Sequence, residues 1–305
     1  MSQVTLALGF GLVTSAILAL GAVGFTLQFG VSNIFNLAFG NVMTVAAFVA
    51  YLVNVRAGAS IWWALAAGAV AAALMSVAIS RLIYSPFLRR GAELFTMVMV
   101  SLAVSIILQN VIQGLSGTSF YAYTPVHEPS LHFAGTVLTP QQLAIVGLAA
   151  LSMLAFHGLL RYTRLGKAMR ATAADPELAR GCGIATDRVM DVAWLISGLL
   201  CGMAGVVLVM NTAAFDFNIG NEFLLLIVAA AVFGSVGQPY GAMVGALVIG
   251  MGSELAGIVS PALKDVVAFA ILVVTLIVRP NGLRTSAVAG LRASVLGRLV
   301  LRAAP

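Results

Sequence analysis

Apolar stretches of about 20 residues, enough to cross a bilayer as helix, recur along nearly the whole chain with short polar runs between them. The first covers residues 6–30. The second, 31–53, is interrupted near its start by Asn33, Asn36, Gly40 and Asn41. Residues 61–83 lead into a basic turn at 85–90, and 94–115 carry Gln109, Asn110 and Gln113 towards their far end. Residues 116–140 hold tyrosines, prolines and histidines without a continuous apolar run, and read as an outer-face loop. Further apolar segments follow at 141–160, 189–210, 222–233, 240–259 and 266–278. The segment 222–233 is too short to cross about 30 Å unaided, so it borrows residues from the glycine-rich turn after it or stands as a half-helix. These segments are too long for membrane β-strands and lack their alternation. The pattern predicts an all-α polytopic membrane protein of eight to nine transmembrane helices, including broken or half helices.

Composition supports this reading. Of 305 residues, 61% are hydrophobic and only 9% charged, against about 25% charged in a soluble domain. So few charges could not cover a surface in water. The formal charge of +6 matters less than its placement. Basic residues gather at Arg81–Arg90, at Arg161–Arg188 and at Arg279–Arg302, with only Arg56 and Lys264 elsewhere. Basic short loops stay in the cytoplasm, so these clusters mark the inner face and argue against a nucleic-acid surface. They alternate correctly if 31–53 and 222–233 both cross, which predicts a cytoplasmic C-terminus and an external N-terminus. The first apolar stretch exceeds the ~7–15 residues of a signal-peptide core and has no basic residue before it, so it is expected to be a retained span. Cys182 and Cys201 suggest neither a disulfide framework nor a metal spacing.

The chain divides into a membrane domain, residues 1–283, with a long basic loop at 162–188, and a basic tail, 284–305. Within the loop, Asp175 suits a helix N-cap, Pro176 the first helical position and Gly183 a left-handed stop. Leu165, Ala168 and Met169 can form one apolar face of a preceding short helix. A soluble partner could grip such an element; a solvated loop that only anchors topology is the alternative. The tail places Val288, Leu291, Val295 and Leu299 at helical spacing among arginines, as an amphipathic helix on the inner leaflet would, or it frays.

The loop, Arg164-Leu165-Gly166-Lys167-Ala168-Met169-Arg170-Ala171 through Asp175 and Ala179 to Gly183-Ile184, resembles that of branched-chain amino acid ABC permeases of the LivH type. The same family pattern is seen in Phe29-Gly30 through Asn36-Leu37-Ala38-Phe39-Gly40, in Ala230-Ala231-Val232-Phe233-Gly234-Ser235-Val236-Gly237, and in Lys264-Asp265 followed by Arg279-Pro280-Asn281-Gly282. The resemblance covers residues 6–283 in order. Phe39 stands where that family commonly has His, and Phe233-Gly234-Ser235 replaces a Gly-Gly-x-Gly, which leaves the solute open among branched-chain amino acids, urea, short amides and aromatic acids.

The resemblance implies a non-catalytic permease subunit in the bacterial inner membrane. Its partners would be a second permease subunit, two ATP-binding subunits and a periplasmic solute-binding protein, with lipid around it. It implies that Leu165, Gly166, Ala168, Arg170, Ala171, Asp175, Ala179, Gly183 and Ile184 form the ATPase-coupling loop. ATP and Mg²⁺ would sit on the partner chains: Lys167 follows Gly166, but Ala168 stands where a phosphate loop needs Ser or Thr. Candidates for the translocation path are Asn33, Asn36, Phe39, Gly40, Asn41, Gly234 and Ser235, since amides in an apolar setting cost free energy unless they face protein or water. Inter-helical hydrogen bonding would explain the same amides. Asp216, Asn218, Asn221 and Glu222 would form an outer rim for the binding protein. Phe39-Gly40 and Phe233-Gly234 are candidates for equivalent positions of an inverted repeat. No metal cluster is expected, and Glu254 is read as paired or hydrated near the outer face. An ion-coupled secondary transporter, the rival class, would need buried ionisable groups at mid-membrane beyond Glu254.

Overall fold

The computed structural model describes residues 3–124, 131–133, 136–212, 214–260 and 263–278. The tail and the Arg279–Gly282 stop lie outside them. Among the described residues, seven helices are long and apolar enough to cross a membrane: Leu6–Ser32, Phe39–Arg56, Ile61–Arg89, Leu94–Ser116, Pro140–Tyr162, Thr186–Asn211 and Pro239–Gly257. Ile219–Phe233 and Val266–Thr275 are shorter apolar helices. We label the elements α1 (Gln3–Ser32), α2 (Phe39–Tyr51), α3 (Ile61–Ile79), α4 (Ser85–Arg89), α5 (Leu94–Ser116), β1 (Leu131–Phe133), β2 (Thr136–Leu138), α6 (Pro140–Tyr162), α7 (Arg164–Ala174), α8 (Pro176–Gly181), α9 (Thr186–Asn211), α10 (Ile219–Phe233), α11 (Pro239–Gly257) and α12 (Leu263–Val278). Short π-helical turns at Leu52–Arg56 and Ser80–Tyr84 prolong α2 and α3. The chain is an all-α polytopic membrane protein. β1 and β2 pair as a small antiparallel hairpin in the loop before α6.

Two departures from the sequence reading concern helix limits. α10 gains length at its start, through Ile219–Asn221, rather than from the glycine-rich turn. That turn cannot be helical, because Ser235 and Gly237 have φ of +77° and +89°. The polar interruption after α1 is confined to residues 33–38, and Gly40 and Asn41 already lie in the first turn of α2.

The helices repeat with inverted direction. Packing of α1 on α11 is matched by α9 on α3, α2 on α3 by α10 on α11, and α2 on α9 by α10 on α1; α1 meets α9, and α2 meets α10, across the centre. The ion pairs Arg81–Asp191 and Arg89–Asp187 hold the C-terminal side of α3 and the start of α9 at one basic end. α1 runs towards this end and α9 away from it, so the two halves point oppositely.

The centre of the repeat is Gly40 against Gly220, not Phe39-Gly40 against Phe233-Gly234. A Cβ on Gly40 would lie 2.6 Å from the Gly220 carbonyl oxygen, and one on Gly220 would meet the Gly40 carbonyl in return. The sequence carries the same relation. Phe35-Asn36-Leu37-Ala38-Phe39-Gly40-Asn41 and Phe215-Asp216-Phe217-Asn218-Ile219-Gly220-Asn221 share Phe, an Asn or Asp, Gly and Asn at identical spacing. The second residue of each acts alike: Asn36 Oδ1 accepts the Ala38 N–H at 3.0 Å, and Asp216 Oδ1 accepts the Asn218 N–H at 3.1 Å. These turns fold the chain back before α2 and α10 start. Phe233-Gly234 lies instead at the far end of α10, where Gly241 and Gly245 of α11 pack against Gly234 and Ala230.

Candidate functional site

Two regions hold the residues singled out by the sequence. The first is the junction of α2 and α10. Asn41, fully buried, donates through Nδ2 to the Ser105 carbonyl (2.9 Å) and Oγ (2.7 Å), and its Oδ1 accepts from Asn221 Nδ2 at 3.1 Å. Thr44 donates to the Gly40 carbonyl at 3.2 Å and accepts the Gly220 N–H at 3.1 Å. It therefore caps the start of α10 from another helix, satisfying a donor that a helix N-terminus leaves open. Asn41 and Thr44, drawn into this apolar centre, both meet partners, as burial requires.

Helix α5 reads this junction with a polar stripe one turn apart. Ser101 Oγ donates to the Phe35 carbonyl at 2.9 Å, Ser105 holds Asn41, and Gln109 Nε2 donates to Asn218 Oδ1 at 3.1 Å. At 1.5 Å rise per residue, these levels lie roughly 10, 16 and 22 Å along α5. Ser105 thus marks the middle of the bundle, with one chain break on either side. Ser101, Ser105 and Thr44 escaped the sequence reading, which noted Gln109 only as an amide towards the far end of its segment. The signal of the three α5 residues was the i, i+4, i+8 spacing of polar residues in an apolar helix, which places them on one face.

The path and rim candidates separate accordingly. Asn36, Phe39, Gly40, Asn41 and Gly234 are buried packing elements, with Asn36 Oδ1 also accepting from Tyr84 Oη at 2.9 Å. Asn33 and Ser235 instead line a cavity of about 700 Å³ at the basic end, bordered by Thr172, Ala173, Pro176 and Arg180. Both adopt positive φ, +53° and +77°, a conformation uncommon outside glycine. Of the rim set, Asn221 turns inward to Asn41, Asp216 closes its own turn, and Asn218 bridges Gln109 and the exposed Glu222. Tyr123, in the loop between α5 and β1, donates to the Ala47 carbonyl at 3.0 Å, and burial pushes its phenol up, so it stays a neutral donor.

The amide pair gives a direct prediction. Asn41→Leu and Asn221→Leu should each lower the thermal midpoint of the purified protein, with Asn41→Leu the larger because it also orphans Ser105. A double-mutant cycle should return a coupling of about 0.6–2 kcal/mol, the range for inter-helical hydrogen bonds in membranes. Strictly additive losses would show that the two amides do not meet.

The second region is the projecting element α7–α8. Asp175 Oδ1 accepts the N–H groups of Glu177 (3.0 Å) and Leu178 (2.9 Å), Pro176 opens α8, and Gly183 has φ of +84°. Leu165 and Ala168 are half-buried and Met169 is buried, so the apolar face of α7 turns to the membrane helices. Gly166 is buried against the Leu159 and Leu160 carbonyls. The Arg170 guanidinium donates to the Leu160 carbonyl, as a cation suits a helix C-terminus. Ala179 is buried, Ala171 and Ile184 are half-buried, and Asp175 and Gly183 are exposed. The element is a structured bracket seated on the end of α6.

Elsewhere, Glu254 accepts from Thr14 Oγ1 at 3.0 Å and from Lys264 Nζ at 2.7 Å, tying α11 to α1 and α12. His157 Nδ1 lies 2.9 Å from Tyr240 Oη in an exposed contact between α6 and α11. No group of three metal-ligating side chains occurs among the described residues.

The chain is similar to known proteins along most of its length. A family model described as the branched-chain amino acid transport system / permease component matches residues 7–276. The high-affinity branched-chain amino acid transport system permease protein LivH of Escherichia coli K12 is 31% identical over 288 residues, covering 90% of this chain and 92% of that protein. BraD of Pseudomonas aeruginosa, a protein of the same description, is 28% identical over 287 residues, covering 90% and 93%. Among solved structures, PsaBC from Streptococcus pneumoniae in complex with Fab aligns over 92% of this chain and 94% of its own, with 14% identity and a TM-score of 0.48. Matched by the family model from residue 7 to residue 276 and 31% identical to LivH over 90% of its length, the chain belongs to the branched-chain amino acid transport system permease family.

Proposed function

We propose that this chain is the membrane-spanning permease subunit of an ATP-driven importer for branched-chain amino acids. The α7–α8 bracket carries this reading. It projects from the basic end, which the charge distribution assigns to the cytoplasm, and packs backbone to backbone on α6 through Gly166. A push on the bracket therefore moves a membrane helix rather than bending a loop. Two ATP-binding subunits, holding ATP and Mg²⁺, supply that push, and a second permease subunit completes the path. A periplasmic binding protein delivers the solute from the opposite face, on the side of the central junction where Asp216, Asn218 and Glu222 lie beside the start of α10. The protein sits in the bacterial inner membrane with a cytoplasmic C-terminus.

The path candidates then take two roles. Gly40, Asn41, Gly220 and Asn221 hold the two inverted halves together, while Asn33 and Ser235 border the inner exit beside the bracket. Carboxylates are scarce along the bundle, and Glu254 is already neutralised by Lys264. That suits a zwitterionic solute handled by amides and backbone groups, and it disfavours an ion-coupled carrier.

Reconstitution tests the reading. Vesicles holding this chain with a second permease and ATP-binding subunits should take up leucine only with ATP and the binding protein. Gradient-driven uptake by this chain alone would reassign it to the secondary transporters. Binding of urea, amides or aromatic acids rather than leucine by the cognate binding protein would keep the architecture and change the solute.

A further inference from the structure

Beside the bracket, at the same basic end, lies a second and larger cavity of about 990 Å³ that the path and the coupling loop leave unused. One wall is the C-terminal extension of α3 with the short helix α4, carrying Arg81, Arg89 and Arg90; the other is α8, carrying Arg180; the start of α9 contributes Asp187 and Asp191. Arg180 also lines the cavity beneath the bracket. The two spaces therefore adjoin at Arg180, at the base of α8.

The charge in the larger groove is not balanced. Four guanidiniums face two carboxylates. Asp191 is taken by Arg81 at 2.7 Å, and Asp187 is shared between Arg89 at 3.6 Å and Arg180 at 3.8 Å. Arg90 has no carboxylate within 4 Å among the described residues. The side chains of Arg81, Arg89 and Arg180 are 64%, 74% and 67% exposed, so their forks retain free donors. Guanidiniums bind carboxylates with two parallel hydrogen bonds. Such a groove is open to further carboxylates.

We propose that this groove receives an acidic segment of the ATP-binding subunit. Contact with the motor would then be two-sided, the bracket entering the partner while the partner's acidic segment enters the permease between α4 and α8. The inference rests on the ATP-driven reading above. The groove lies against the element assigned to the motor, and its positive excess names the sign of what fills it. A single exposed ion pair contributes little, but several carboxylates entering one basic groove act together and fix the register of docking.

The test uses the permease purified with its ATP-binding subunits. Arg89→Glu with Arg90→Glu should weaken retention of the ATP-binding subunit by about tenfold or more. Arg89→Gln with Arg90→Gln, which changes the surface least, should fall between this and the wild type. Raising salt from about 0.1 to about 0.5 M should shrink the difference between wild type and both variants. Equal retention by all three proteins, each eluting as folded permease, would overturn the inference. So would a loss seen only in nanodiscs containing phosphatidylglycerol and absent in neutral lipid, since that result assigns the groove to anionic headgroups. Failure of the wild-type permease to retain any ATP-binding subunit would instead remove the importer reading, so the two failures are distinct.

Discussion

Replacing Gly40 by leucine should remove folded permease from the membrane, whereas Gly147→Leu should leave its yield and thermal midpoint unchanged. A Cβ on Gly40 would stand 2.6 Å from the Gly220 carbonyl oxygen and 2.9 Å from Asn221 Oδ1. The first obstacle is backbone in the opening turn of α10, and it cannot rotate away as a side chain would. α2 and α10 must separate, breaking the Thr44–Gly220 and Asn41–Asn221 hydrogen bonds that hold the junction. Adding single methylenes to a packed core costs about 1–3 kcal/mol, which is the range expected for Gly40→Ala. Leucine exceeds what local adjustment can absorb. Gly147 makes the control because a Cβ there meets nothing within 4 Å, on the exposed side of α6. The measurement is the fraction of extracted protein eluting as a single species, with its thermal midpoint. Wild-type behaviour of Gly40→Leu would mean that α2 and α10 do not cross at these glycines.

What the sequence revealed and what it hid follow from the range of the interactions. Asp175, Pro176 and Gly183 were legible because capping is local: each acts within three or four residues of itself, and the structure realises all three. The interruption at residues 33–38 was legible because amides in an apolar run violate the local rule. The centre of the inverted repeat was not, since Gly40 and Gly220 stand 180 residues apart. A glycine pair at that separation carries no local mark. The duplicated Phe-Asx-x-x-x-Gly-Asn spacing becomes informative only when both copies are compared. Matching Phe-Gly pairs instead selected a helix end, Phe233-Gly234, that resembles a helix start only in composition. Gln109 shows the same limit: an amide near the far end of α5 by sequence, it gains meaning when Asn218 is placed opposite it.

Changing Gly166 to valine should uncouple the importer while leaving its assembly largely intact. Gly166 N–H donates to Thr163 Oγ1 at 3.0 Å, and Thr163 Oγ1 donates to the Leu159 carbonyl at 2.6 Å, so the chain reverses between α6 and α7 in a single tight turn. The Gly166 Cα lies directly under the Leu159 and Leu160 carbonyls, and valine would lift α7 off the end of α6. Arg170 would then lose the Leu160 carbonyl, and Met169 its buried seat. The exposed face of the bracket, which we propose meets the motor, keeps its composition. Stimulated ATP hydrolysis and uptake should fall together by about tenfold or more, a barrier change of about 1.4 kcal/mol. The solute affinity of the binding protein should not move. Arg170→Gln should produce a smaller loss in the same direction, because it removes one tie and leaves the backbone contact. Lys167→Ala, on the exposed side of the same helix, should leave transport near wild type if rigidity rather than surface charge transmits the motion. Full coupling in Gly166→Val would show that the bracket is a solvated loop and that force reaches the membrane helices elsewhere.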